Sequence, residues 1–222
     1  MIYNDKKNKL SNFEHLLTIT YLQTPPIMIA IIDYKMGNLR SVENALQRLG
    51  ADFQVTSDAA VIRRADRVLL PGVGNCGKAM ENLKESNLIP VIKDLRRPVL
   101  GICVGMQVMC RDSEEGNVAC IGLFDAHVRQ FEATAEVKVP HVGWNQLGNL
   151  EKALFKDVDS GSFVYYVHSY YANLCPDTIA TTQHGLLFSA ALKYENFYGT
   201  QFHPEKSGDV GERILKNFLE RC

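Results

Sequence analysis

The spacing of apolar positions changes character along the chain, alternating between short unbroken runs and helical stripes. "MIAIIDY", from Met28, is a β-branched run of the kind that fills a parallel strand buried on both faces. In the next stretch, "MGNLRSVENALQRLG", Leu39, Val42, Leu46 and Leu49 recur on one helical face, and Gly50 closes the helix. "ADFQVTS" and "RVLLPGVG" predict two further strands, "GKAMENLKESNLI" a helix, and "PVLGIC" another buried strand. Strand and helix alternating in this way predict a parallel sheet covered on both faces. From about Ile121 strands outnumber helices, in "IGLFDAHVRQF", "VGWNQL", "FVYYVHSYYA", "IATTQH" and "LFSAALKYENFYGTQFH". The last segment, "DVGERILKNFLERC", predicts an amphipathic helix with Val210, Ile214, Leu215, Phe218 and Leu219 inward. No internal repeat or linker splits residues 28–222. The expected fold is α/β, a single domain with a central mixed, mainly parallel sheet flanked by helices.

Residues 1–27, "MIYNDKKNKLSNFEHLLTITYLQTPPI", break the pattern. Lysines precede an apolar run from Leu16 to Leu22, as in a secretory signal. Thr18 and Thr20 interrupt that run, however, and Pro25 and Pro26 stand where small residues would precede a cleavage site. These residues are expected to be a loosely held extension, or to lie upstream of a natural start at Met28.

Composition narrows the function. Of 222 residues 46% are hydrophobic, enough for a sizeable core, and the formal net charge is −1, so no basic field points to nucleic acid or an anionic membrane. No stretch approaches the roughly 18 consecutive apolar residues of a membrane helix. The six cysteines, Cys76, Cys103, Cys110, Cys120, Cys175 and Cys222, contain no C-x-x-C pair. That argues against a zinc site and a secreted disulfide framework, and for a cytoplasmic setting with neither metal nor cofactor.

One of these cysteines stands apart. "G-I-C-V-G", Gly101 to Gly105, places Cys103 between glycines at the junction of an apolar strand and the helical "MQVMC". This is the form of a nucleophile elbow, in which the glycines relieve crowding around a sharp strand-to-helix turn that exposes the side chain. Bringing a thiol from a pKa of about 8.5 to about 7 takes roughly 2 kcal/mol, whereas a helix N-terminus supplies about 0.3–1 kcal/mol. A second activating group is therefore needed, most simply a histidine. Free cysteines are otherwise small core residues, and the pentapeptide alone admits that reading too; Cys110 is read as an ordinary buried sulfur.

Six histidines are available: His15, His127, His141, His168, His184 and His203. His203 is the candidate with its own orienting acid across a proline, in "G-T-Q-F-H-P-E-K-S". In an extended chain residues two apart point the same way, so His203 and Glu205 would share a side, with Pro204 stiffening the link. Cys103, His203 and Glu205 then compose a Cys-His-acid triad. Val104 N–H supplies one oxyanion donor by the geometry of the elbow, and the glycine-rich "LLPGVGNCG" is the source of a second.

That loop also matches nucleotide-binding patterns, with Gly72, Gly74 and Gly77 as G-x-G-x-x-G and Gly72 to Lys78 as G-x-x-x-x-G-K. Ala79 stands where a P-loop needs Ser or Thr, and Arg96 and Arg97 lie where a dinucleotide site wants an acid. Both patterns are incomplete.

The joint occurrence of "PVLGICVGMQ" and "GTQFHPEKS" resembles the class I (triad-type) glutamine amidotransferases. "IIDYKMGNLRSV", "LLPGVG", "GMQ", "KVPHVGWNQL" and "YYVHSYY" are similar to the glutaminase subunits of imidazole glycerol phosphate synthase within that family. Glutaminases of other synthases, acting in aminobenzoate, pyridoxal phosphate or sugar amidation, remain the alternative. The resemblance implies hydrolysis of L-glutamine, with Cys103 as nucleophile, His203 as acid and base and Glu205 orienting it. It implies oxyanion or substrate contacts from Val73, Gly74, Val104, Gln107, Ser169 and Tyr170. It also implies a heterodimer with a (β/α)₈ cyclase subunit that receives the ammonia, docked over Asn38, Trp144, Tyr165 or Tyr166, and Lys206. Trp144 reads equally as a core residue. Two positions depart from the family pattern: Val104 stands where Leu is commoner, and Lys35 replaces the glycine usual after Tyr34.

Overall fold

The computed structural model describes residues 27–151 and 153–222. Apart from Ile27, the extension expected over residues 1–27 lies outside the described residues.

The first half alternates as its pattern predicts. Strand β1 (Ile29–Ile32) is buried along its whole length, and helix α1 (Leu39–Arg48) turns Val42, Ala45 and Leu46 inward. Gly50, at φ 66°, ends α1: its amide bonds the Gln47 carbonyl at 3.0 Å and that of Ala51 bonds Leu46 at 3.1 Å, the paired closure that a left-handed residue permits. Strand β2 (Phe53–Thr56) leads to a helix the apolar pattern did not reveal, α2 (Ala59–Arg64), started by Asp58, whose side chain accepts from the Ala60 and Val61 amides. Strand β3 (Arg67–Gly72) comes next.

The single helix expected over residues 77–89 is two, α3 (Cys76–Glu85) and α4 (Leu88–Asp94). Asn87 between them takes φ 51°, which breaks the ladder. Pro90 falls in the first turn of α4, where a missing N–H costs nothing. Strand β4 (Val99–Cys103) runs into α5 (Val104–Gln107). The helix expected to reach Cys110 is thus one turn, because the carbonyls of Val108, Met109 and Cys110 accept amides from residues 121–124 instead.

The second half is strand-rich: β5 (Asp112–Ser113), β6 (Val118–Ala119), β7 (His127–Gln130), β8 (His141–Gln146), β9 (Phe163–His168), β10 (Tyr170–Ala172), β11 (Thr178–His184), β12 (Leu186–Tyr194) and β13 (Phe197–Thr200). The closing helix, α6 (Gly208–Arg221), buries Ile214, Leu215, Phe218 and Leu219, with Val210 only partly covered. No helix among the described residues is long and apolar enough to cross a membrane.

Seven strands form the central sheet in the order β11-β12-β13-β4-β3-β1-β2. It is parallel from β2 to β13 and antiparallel across β12 and β11, so the expected α/β fold with a mainly parallel sheet is the one observed. A four-stranded sheet (β10-β7-β5-β6) and a two-stranded ribbon (β8-β9) stand beside it. The strand register brings distant loops together: Cys103 pairs with Gly72, and Ile102 with Thr200. The loops leaving β3, β4 and β13 therefore emerge side by side at the carboxyl edge of the sheet, where open α/β sheets bind ligands.

Candidate active site

Cys103 sits at φ 55° and ψ −111°, a backbone conformation that costs a non-glycine residue about 1–3 kcal/mol unless its surroundings enforce it. They do so through the two flanking glycines. A Cβ on Gly105 would lie 2.8 Å from the Leu70 carbonyl carbon, and one on Gly101 would lie 2.6 Å from the Gly105 oxygen. Only hydrogen at these positions lets α5 fold back against β3 and β4, and that fold-back sets the turn at Cys103.

From the neighbouring strand, the chain leaving β13 brings in the histidine. His203 Nδ1 lies 2.8 Å from Glu205 Oε1, and both side chains are 2% exposed. The expected reason for this pairing is wrong, because Pro204–Lys206 is a 3₁₀ turn rather than extended chain. The turn curls Glu205 back beneath the ring, and hydrogen bonds hold it: Ser207 Oγ donates to the His203 carbonyl at 2.6 Å, and His203 N–H donates to the Tyr165 carbonyl at 3.0 Å. His203 Nε2 is buried without a hydrogen-bond partner. Burial pulls the imidazole pKa down, but the negative sulfur of Cys103 and the Glu205 carboxylate outweigh it and raise it to about 10. The imidazolium is the favoured form of His203.

Cys103 and His203 both line a cavity of about 290 Å³, with Val73, Gly74, Val104, Gln107, Ser169 and Tyr170 around them. Gly74 takes φ 88°, which glycine adopts without strain. Gly77, by contrast, lies inside α3 with Gly116 against it, and Lys78 bonds Glu81 at 2.9 Å. The pieces of the nucleotide patterns are thus spent on packing and a surface ion pair. Cys110 is fully buried, its sulfur 3.6 Å from the Met106 carbonyl.

Asn38, Trp144 and Lys206 lie away from the cavity, on the surface. Trp144 is 55% exposed, and its ring meets that of Tyr165 edge-on at 6.1 Å. Tyr166 is buried with its hydroxyl 2.6 Å from Thr182 Oγ1, so of the two tyrosines Tyr165 belongs to the surface. Val142, Phe163 and Val167 extend the exposed apolar face of the β8–β9 ribbon. Lys35, also exposed, takes φ 64°, a geometry that suits the glycine it replaces better than a lysine.

Several site residues escaped the sequence reading. Gln201 is fully buried; its Nε2 lies 3.7 Å from Cys103 Sγ and its Oε1 accepts from Gln107 Nε2 at 3.1 Å. Alternation along "QFH" was the available signal, since it puts Gln201 on the same side as His203. Glu115 is the one carboxylate lining the cavity among the described residues. Burial raises its pKa, against a hydrogen bond accepted from Cys76 N–H that measures 2.7 Å. His168 lines the cavity as well. Its Nδ1–H donates to the Tyr170 carbonyl at 2.8 Å, the oxygen that also accepts Gln107 Nε2 at 3.1 Å. Its Nε2 faces His141 Nδ1 at 2.9 Å, and His141 Nε2 accepts from Asn145 Nδ2 at 3.2 Å. These partners leave each ring one donor and one acceptor nitrogen, so both are neutral. Burial depresses the pKa of His141 to about 4 and of His168 to about 3.

A thiol nucleophile on a strained elbow, a carboxylate-backed histidine from the adjacent strand and a mainly parallel sheet beneath them define a triad amidotransferase site. Residues 30–222 match the model of the class I glutamine amidotransferase family, and the chain belongs to that family. Within it, the chain is similar to imidazole glycerol phosphate synthase subunit HisH of Bacteroides fragilis, at 55% identity over 193 residues covering 86% of this chain and 98% of that protein. It is also similar to HisH of Bacteroides thetaiotaomicron, at 50% identity with the same coverage, and of Bacillus cereus, at 49% identity with 86% and 93% covered. Among solved structures, a glutamine amidotransferase superposes with a TM-score of 0.66 at 16% identity, covering 86% of this chain and 97% of that one. A glutamine amidotransferase of Thermotoga maritima gives 0.58 at 17%, with 86% and 82% covered. At such identities these two speak for the fold alone.

Proposed function

We propose that this chain is the glutaminase subunit of an imidazole glycerol phosphate synthase, hydrolysing L-glutamine to glutamate and ammonia for a cyclase subunit in histidine biosynthesis. The subunit role is supported by the HisH relatives at 49–55% identity. The chemistry is carried by one observation: Cys103 and His203 share a cavity, and Glu205 Oε1 is 2.8 Å behind the imidazole.

The Cys103 thiolate attacks the side-chain amide carbon of glutamine. The oxygen becomes a tetrahedral oxyanion held by the Val104 amide and a main-chain donor at Val73. Protonated His203 transfers its Nε2 proton to the amide nitrogen, the C–N bond breaks and ammonia leaves. A water molecule, deprotonated by His203 with Glu205 holding Nδ1–H, then cleaves the thioester and releases glutamate. Glu115 opposes the α-ammonium of the substrate by charge. Gln107, anchored on Tyr170 and Gln201, shapes the pocket wall with the main chain of Ser169 and Tyr170.

Ammonia released into water becomes ammonium, which is no nucleophile, so the product must pass directly to a docked partner. Exposed Trp144 and the half-buried Tyr165 beside it, with Asn38 and Lys206, supply the face for a (β/α)₈ cyclase, which uses the ammonia to form imidazole glycerol phosphate and an aminoimidazole carboxamide ribotide. Glutamine turnover measured alone, and then with the cyclase and its ribonucleotide ligand, tests the assignment. Turnover rises when both are added, and Trp144→Ala reduces that rise. No rise with both present overturns the synthase role, and no turnover under any condition overturns the glutaminase.

A further inference from the structure

Behind the wall of the cavity, Cys76 Sγ and Cys120 Sγ lie 3.8 Å apart, and both cysteines are free. Cys76 is the first residue of α3, two positions after Gly74, and is fully buried; Cys120, just past β6, is partly open to solvent. The two segments also touch through backbone. A Cβ added to Gly116 would stand 2.9 Å from Gly77 Cα, and the Cys76 amide donates to Glu115 Oε2 at 2.7 Å. The thiol pair thus joins the stretch that carries Val73 and Gly74 to the stretch that carries Glu115, all three of which line the cavity.

The two sulfurs are electrostatically unlike. A hydrogen bond from Cys120 lowers the pKa of Cys76 against the opposing effect of burial, and the same contact raises that of Cys120. Cys76 also heads a ten-residue helix, whose N-terminus favours a thiolate.

We propose that Cys76 and Cys120 are a reversible thiol-oxidation site, at which a hydroperoxide forms a disulfide that ties the start of α3 to the end of β6 and slows glutamine turnover. The effect on turnover rests on the glutaminase function proposed above; the cross-link does not. Cys120, the sulfur that solvent reaches, passes its proton along the hydrogen bond to Cys76 and attacks an oxygen of hydrogen peroxide as the thiolate; the O–O bond breaks, the departing hydroxide takes that proton from Cys76 and leaves as water, and Cys120 becomes a sulfenic acid. The Cys76 thiolate then attacks that sulfur, the S–S bond forms, the S–O bond breaks, and the hydroxide departs as water with the proton Cys76 had released to solvent on ionising. Two thiols are oxidised and one hydroperoxide is reduced. A disulfide of about 2.05 Å requires the sulfurs to close by roughly 1.8 Å. With Gly77 against Gly116 and Glu115 bonded to Cys76, that closure shifts residues on both walls of the cavity.

Trypsin separates the relevant thiols, because Cys76 lies in fragment 68–78 and Cys120 in fragment 112–129, each with a single cysteine, while Cys103 and Cys110 fall in another. The full-length chain exposed to hydrogen peroxide and digested without reductant is expected to yield the linked pair of fragments, which dithiothreitol separates. Free thiols on both, with Cys103 already oxidised, would overturn the proposal. Because displacements of about 1 Å near reacting groups cost up to about a hundredfold, turnover is expected to fall roughly tenfold on oxidation. It recovers with dithiothreitol, and Cys120→Ser resists the loss. An equal loss in Cys120→Ser assigns the effect to Cys103 and removes the regulatory role. If the reduced protein shows no turnover at all, it is the glutaminase function that fails, and the fragment map still decides the cross-link.

Discussion

His168 Nε2 accepts the Nδ1–H of His141 at 2.9 Å, and through this bond a buried histidine remote from the chemistry fixes the main chain that lines the glutamine cavity. Asn145, His141 and His168 donate in sequence, ending on the Tyr170 carbonyl that also holds Gln107. Removing His141 leaves a buried ring nitrogen without its donor, at a cost of about 2 kcal/mol, or roughly 4–8 °C in Tm for a domain of this size. His141→Ala is therefore expected to melt lower and to raise KM for glutamine more than it lowers kcat. A drop in kcat with KM unchanged would place His141 in the chemistry instead.

The same pair sets an acid limit. His141 and His168 titrate at about 4 and about 3 in the folded chain, below the ordinary 6.5. Between these values and 6.5 the unfolded chain binds more protons, so stability rises with pH there and is lost as pH falls from about 6.5 toward 3. Denaturation followed at several pH values is expected to show this slope, and His141→Asn to flatten it.

His203 titrates in the opposite sense. Its pKa of about 10 lies above the unfolded value, so the stability it contributes is complete below about 6.5 and is lost as pH rises through about 10. Cys103→Ser removes the sulfur charge behind this elevation. The imidazole followed by NMR is expected to titrate well below 10 in that variant, and glutamine turnover to fall about a thousandfold or more. An unshifted His203 would show that Glu205 alone sets its protonation.

Two glycines separate steric from conformational need. Gly105→Ala drives a methyl against the Leu70 carbonyl and is expected to cost about 3 kcal/mol or more. Gly50→Ala meets nothing within 4 Å and strains only a residue at φ 66°, costing about 1 kcal/mol. Chemical denaturation of the two variants checks the ranking.

Much of this was legible in the chain because periodicity reports burial. The β-branched runs became the parallel strands, and the G-x-C-x-G spacing became the elbow. What periodicity hides is decided elsewhere. Helix α2 announces itself through the cap at Asp58 rather than through an apolar stripe. The break at Asn87 depends on one residue entering the left-handed region, and α5 stops because residues 121–124 capture the carbonyls of Val108, Met109 and Cys110 that would continue it. At the site, His203 and Glu205 meet through a 3₁₀ turn that strand logic does not foresee. The roles of Gln201 and His141 are set by partners far off in sequence, which no local spacing records.

The β8–β9 ribbon looks two ways. Tyr165 turns its ring outward to Trp144, while its amide donates to Ser207 Oγ at 3.0 Å and its carbonyl accepts from the His203 amide, also at 3.0 Å. Three residues on, the same strand ends at His168, beside the glutamine pocket. A weight placed on the outer rings therefore rests directly on the backbone of His203, the histidine proposed to transfer protons. In this molecule the proposed docking face and the proposed reaction centre are two sides of a single plank.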